Sequence, residues 1–147
     1  MGATIDDIRH RFVGICLRQL GKPYVWASNG PDDFDCSGLV VYALRQVGAI
    51  KPADDFSARG LFNLCQRTQA PLPGDLAFYG SKPDKVTHVV VIIDGVRVVS
   101  ASGGDSRTTS KEIARKMGAA VKLHSSVLYR SDFLGIGTNY FLEKPNV

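Results

Sequence analysis

The residues best suited to nucleophilic or acid–base chemistry are three cysteines, Cys16, Cys36 and Cys65, and three histidines, His10, His88 and His124. Cys36 stands in the run Asp35-Cys36-Ser37-Gly38, after a loop rich in Gly, Pro and Asp. The apolar stripe of Leu39, Val40, Ala43 and Val47 follows it, so the spacing predicts a helix that begins near Cys36, with Asp35 as N-cap. Free backbone N–H groups and the helix dipole at such a start favour the thiolate, which is the nucleophilic form of cysteine. Small neighbours, Ser37 and Gly38, leave room for a substrate backbone. Cys16 and Cys65 fall on apolar helical faces and read as small core hydrophobes. A nucleophilic cysteine needs a base. His88 opens the run Val89-Val90-Val91-Ile92-Ile93, which is apolar on both faces and reads as a central strand. A histidine at the start of such a strand can meet the N-terminus of a helix packed on the sheet. His10, among Asp7, Arg9 and Arg11, reads as solvated. His124, beside Ser125 and Ser126, reads as outside the pair.

Other elements must position this pair. Thr4 and Asp7 form a helix start, and Ile8, Phe12, Ile15 and Gln19 follow one face up to a stop at Gly21 and Pro23. A short helix is expected over Ala58 to Arg67. Beyond Pro71 and Pro73 the pattern changes to strands: Asp75 to Tyr79, Val86 to Ile93 and Val96 to Ala101, with Asp94-Gly95 read as a two-residue hairpin turn. A helix over Ser110 to Met117 with a Gly118 stop comes next, then strands over Val121 to Tyr129 and Phe133 to Phe141. Helices precede a mainly antiparallel sheet, which indicates an α+β domain.

The chain has 147 residues, enough for one domain with a real core, so 1–147 reads as a single unit. With 44% hydrophobic and 22% charged residues it is an ordinary globular composition. Its net charge of +4 suits anionic surroundings, but no nucleic-acid motif is present and no nucleic-acid partner is expected. An odd cysteine count argues against a full disulfide framework. No Cys-x-x-Cys spacing occurs, so a zinc site is not expected, and no nucleotide motif is present. The apolar runs are too short for a membrane span. Met1 to Asp7 has no basic n-region and no long apolar stretch, so no signal peptide is expected.

Four ordered blocks carry a resemblance. Gly21-Lys22-Pro23-Tyr24-Val25-Trp26, Phe34 to Val40 around Cys36, Pro73-Gly74-Asp75-Leu76-Ala77-Phe78-Tyr79 and His88-Val89-Val90-Val91 together resemble the NlpC-type cell-wall cysteine peptidases. The resemblance covers about residues 10 to 102. It implies a papain-like α+β fold, with N-terminal helices packed on an antiparallel sheet. It implies hydrolysis of peptidoglycan stem peptides, usually at the bond from γ-D-glutamate to a diamino acid. Cys36 corresponds to the nucleophile and His88 to the base. Tyr24 corresponds to a tyrosine near the sulfur, and Asp35 and Ser37 to positions that meet the free amine of the stem peptide. The resemblance implies no metal and no organic cofactor. A phage tail, a secretion apparatus or another non-classical route would bring the protein to the wall.

Two positions depart from the family pattern. Trp26-Ala27-Ser28 stands where Trp-Gly-Gly is common. The third catalytic position, twelve residues after the base, usually holds His, Asn or Gln and here is Ser100. A serine orients an imidazole weakly, so the expected enzyme is slow. The same pair acting as an amidase or transpeptidase, and a weak or inactive relative that binds wall peptides, are the alternative readings.

Overall fold

The computed structural model describes residues 4–143. Helix α1 spans Ile5–Leu17 and opens on a capping box: Asp7 N–H donates to Thr4 Oγ1 at 3.1 Å, and Thr4 N–H donates to an Asp7 carboxylate oxygen at 3.3 Å. Helix α2 spans Cys36–Gln46, and α3 spans Ala58–Leu64. Six strands follow: β1 (Gln66–Arg67), β2 (Leu76–Gly80), β3 (Val86–Ile92), β4 (Val98–Ser102), β5 (Ala120–His124) and β6 (Phe133–Thr138). Helix α4 (Lys111–Met117) lies between β4 and β5, capped by the Ser110 side chain and closed by left-handed Gly118. The strands form one sheet in the order β1-β6-β2-β3-β4-β5, with every pairing antiparallel. This is the α+β arrangement expected from the sequence.

Strand alternation divides the side chains between two faces. Leu76, Phe78, Val89, Val91, Val99, Ala101 and Val121 share a core with Phe12, Ile15, Leu39, Val40 and Ala43 of α1 and α2. Ala77, Tyr79, Val90, Ile92 and Val98 form a smaller cluster on the other face, packed with Val127, Tyr129, Phe133 and Ile136. Both faces of β3 are therefore covered, as its unbroken β-branched run demands.

Four boundaries differ from the sequence reading. Helix α3 stops at Leu64 because Cys65 turns extended and leads into β1, which pairs with β6. The β3–β4 connection holds three residues instead of two: Ile93 N–H donates to Arg97 C=O at 2.9 Å, and Val91 stands opposite Val99. The Asp94 carboxylate takes the N–H groups of both Val96 and Arg97 and so captures the extra residue. A one-residue slip turns every side chain over. A two-residue turn would set His88 opposite Ala101, whereas the observed count puts Ser100 and Ser102 on the same face as His88. The segment read as a strand over Val121 to Tyr129 ends at His124, and Ser126 caps a 3-10 turn over Val127–Tyr129. The last strand ends at Thr138, and a second 3-10 turn covers Tyr140–Leu142.

Candidate active site

Cys36 is the first residue of α2, and the capping carboxylate of Asp35 fixes that start. Asp35 Oδ1 accepts Gly38 N–H at 2.7 Å and the Ser37 hydroxyl at 3.3 Å, while Oδ2 accepts Ala27 N–H at 2.9 Å. The cap thus ties the helix to the preceding loop. Gly38 is small for the same reason: a Cβ there would stand 1.9 Å from the Ser28 carbonyl oxygen. Its size serves the loop packing, not the substrate clearance suggested by the sequence.

The Cys36 thiol is nearly buried, 8% exposed, and rests on the start of β3. Sγ lies 4.0 Å from the Thr87 carbonyl oxygen and also meets the Val89 N–H. The sulfur therefore lies along the backbone on both sides of His88. Burial foremost, and then the Asp35 charge, push the thiol up to about 11 against the pull of the Val89, Ser37 and Cys36 amides. Desolvation opposes the pull of the helix start on the thiol.

His88 is 6% exposed and packs against the Tyr79 ring at 5.4 Å. Burial first, then the Arg130 charge, lower its imidazole to about 3, with Asp132 opposing. Burial thus favours the neutral form of both side chains.

The His88 Nε2 atom is 2.8 Å from the Tyr129 hydroxyl oxygen. Ser100, the residue at the third family position, is buried, and its hydroxyl pairs with that of Ser102. Burial foremost holds the Tyr129 phenol above its ordinary range, with the nearby Ser102 and Ser100 hydroxyls opposing. Its ring stacks on His124 at 3.7 Å, with planes 9° apart, and His124 Nε2 is 3.2 Å from Ser102 Oγ. His124, read from the sequence as an outsider, belongs to this network. Tyr129 had no motif to mark it; the Ser125-Ser126 pair ahead of Val127 was the one sign that the strand ended there.

Tyr24 is buried, and its hydroxyl is held above the ordinary phenol range by burial first and then by Cys36, Asp35 and Asp105. Tyr24 thus lies within electrostatic reach of Cys36 and Asp35. On the open side, Asp35 and Ser37 line a cleft of about 250 Å³ together with Ala27, Asn29, Asp55, Phe56 and Ser57. Burial raises the Asp35 carboxyl, its amide bonds oppose this, and Asp55 adds a smaller upward push. Two carboxylates beside one cleft favour a cationic group. A larger groove of about 570 Å³ between α1 and α2, lined in part by His10, Arg11 and Arg18, shares no residue with this site. Among the described residues no cluster of three or more His, Cys, Asp or Glu could hold a metal, and no helix is long and apolar enough to cross a membrane. Cys16 is fully buried, and Cys65 is partly buried and packs against the core.

Known proteins share this arrangement. A probable endopeptidase p60 of Listeria grayi is 37% identical over 86 residues, 57% of this chain and 16% of that protein. The chain therefore spans about a sixth of the length of that relative. The peptidoglycan hydrolase RipB of Mycobacterium tuberculosis superposes with a TM-score of 0.67 at 25% identity, covering 92% of this chain and 66% of that one. RipD of the same organism, described as a non-catalytic NlpC/p60 domain protein adapted to peptidoglycan binding, shares the fold with a TM-score of 0.63 at 20% identity, over 89% of this chain and 95% of that one. The model of the NlpC/P60 family matches residues 21–125, a span that holds Tyr24, Cys36, His88 and Ser100. The chain belongs to the NlpC/P60 family.

Proposed function

We propose that this protein is a cysteine peptidase that hydrolyses peptidoglycan stem peptides at the bond from γ-D-glutamate to a diamino acid, with Cys36 as nucleophile and His88 as base. The observation that carries this reading is the Cys36 sulfur at a helix N-terminus, lying on the backbone on both sides of His88. The names of the Listeria relative and of RipB support the activity and the substrate class.

The geometry suits acyl transfer. Sulfur attacks the scissile carbonyl carbon while the imidazole takes the thiol proton. The Cys36 and Ser37 amides at the helix start adjoin the sulfur and are the donors for the developing oxyanion in this reading. The imidazolium returns its proton to the departing amine as the C–N bond breaks and a thioester remains. Water, deprotonated by the same imidazole, then releases the acid and restores the thiol. The acidic cleft beside the sulfur receives the free amine of the stem peptide at Asp35, with Ser37 and Tyr24 adjoining.

Mass spectrometry of purified peptidoglycan fragments tests this reading. Wild type should release fragments ending in γ-D-glutamate with a new carboxylate, and Cys36→Ala should release none. N-acetylation of the peptide amine should slow cleavage about ten- to a hundred-fold, the cost of one charge-assisted bond. Products joined by a new amide would indicate a transpeptidase instead. Intact fragments that bind without cleavage would place the chain with binding relatives such as RipD.

A further inference from the structure

The base of the proposed reaction must have a bare nitrogen facing the thiol. One nitrogen of His88, Nε2, is committed to the Tyr129 hydroxyl at 2.8 Å. Which nitrogen carries the hydrogen of the neutral ring is therefore decided by what Tyr129 offers, a proton or a lone pair. Ser100, the residue at the usual orienting position, directs its hydroxyl to Ser102 and acts on the imidazole only through others.

We propose that Tyr129 is the positioning residue for His88: its hydroxyl oxygen accepts the Nε2–H, which leaves Nδ1 bare to take the thiol proton. The inference rests on the reading of His88 as the base. A base that takes a proton at Nδ1 must carry its own hydrogen on Nε2, and Nε2 meets the Tyr129 oxygen at 2.8 Å. That oxygen keeps a lone pair for the N–H whichever way its own proton turns. The His124 ring lies parallel to that of Tyr129 at 3.7 Å and keeps the phenol from swinging away. Tyr79 and Tyr129 pack edge to face at 5.5 Å and close the other side. Ser100 holds the serine pair in place.

Nitrogen-15 NMR of histidine-labelled protein reads the tautomer directly and needs no substrate. Wild-type His88 should be the Nε2–H tautomer. Tyr129→Phe, which keeps the ring and removes the hydroxyl, should give a mixture of tautomers. Ser100→Ala should move His88 less than Tyr129→Phe. Where wall peptides are cleaved, Tyr129→Phe should lower kcat about ten- to a hundred-fold with KM changed less than about twofold, as expected when a bond to a developing imidazolium is lost. An Nδ1–H tautomer in wild type, or an unchanged tautomer in Tyr129→Phe, overturns the inference, as does an unchanged kcat. The NMR results do not depend on Cys36, whose variant tests the peptidase reading separately.

Discussion

His88 carries a charge-state cost that should be visible in stability. Its imidazole titrates near 6.5 when unfolded and is lowered to about 3 in the fold, burial being the main cause. Between these values the unfolded chain binds more protons than the native one, so unfolding free energy rises with pH across that window. The stability is complete above about pH 6.5 and is lost as pH falls toward 3. The full effect is on the order of 5 kcal/mol. His88→Gln should flatten this part of the curve, measured by urea unfolding at a series of pH values. Equal slopes in the two proteins would mean that His88 is not the group held neutral. The sequence marked His88 and Cys36 through their neighbours on the chain. It could not give their protonation states, because burial is a property of the packed molecule. Asp35 was legible as a cap, and the loop bond to Ala27 that doubles its task was not.

At the scale of elements, the loop before α2 holds a backbone conformation that its sequence does not favour. Ala27 has φ 63°, in the left-handed region, and its N–H is the one donated to Asp35 Oδ2. A Cβ makes that region costly by about 1–2 kcal/mol, part of which is offset because glycine loses more freedom on folding. The position is one where the family commonly has glycine. Ala27→Gly should raise stability by about 0.5–1 kcal/mol, seen as a higher urea midpoint with an unchanged slope. A lower midpoint would mean that the loop relaxes out of this conformation in solution. The helices capped by Thr4, Asp35, Ser57 and Ser110 were easier to locate, since a cap and an apolar stripe are local signals. The β3–β4 turn was misread by one residue because the Asp94 side chain competes with the backbone for the turn amides.

The whole molecule is tied together at a buried ion pair remote from the thiol. Arg9 of α1 meets Asp75 at 2.8 Å, both side chains only 2% exposed, and it also donates to the Pro73 carbonyl at 2.9 Å. Asp75 further accepts the N–H groups of Leu72 and Asn139. One carboxylate thus joins the first helix, the loop entering β2 and the segment after β6. Removing it would leave a buried guanidinium without its main partner. Asp75→Ala should cost about 3–5 kcal/mol. Replacing both partners, Arg9→Met with Asp75→Leu, should cost clearly less than Asp75→Ala alone, because no charge is left stranded. Urea unfolding of the three proteins compares them. A loss below about 1 kcal/mol for Asp75→Ala would show that the pair does not hold these segments together.

The sequence by itself determined the fold class, the helix starts, the central position of β3 and the candidate pair Cys36 and His88. These rest on caps, apolar periodicity and family blocks, all of which are written locally along the chain. Tertiary structure alone decided what surrounds the pair. Tyr129 reaches His88 across 41 positions of sequence because a serine-capped turn ends β5 and folds its segment over the sheet. Ser100 shares the face of His88 because three residues, not two, close the hairpin. Both outcomes depend on strand register and on where a strand stops, which are settled by competing hydrogen bonds and by packing between distant segments. No run of neighbouring residues records that competition, so the partner of the imidazole was not legible in the sequence.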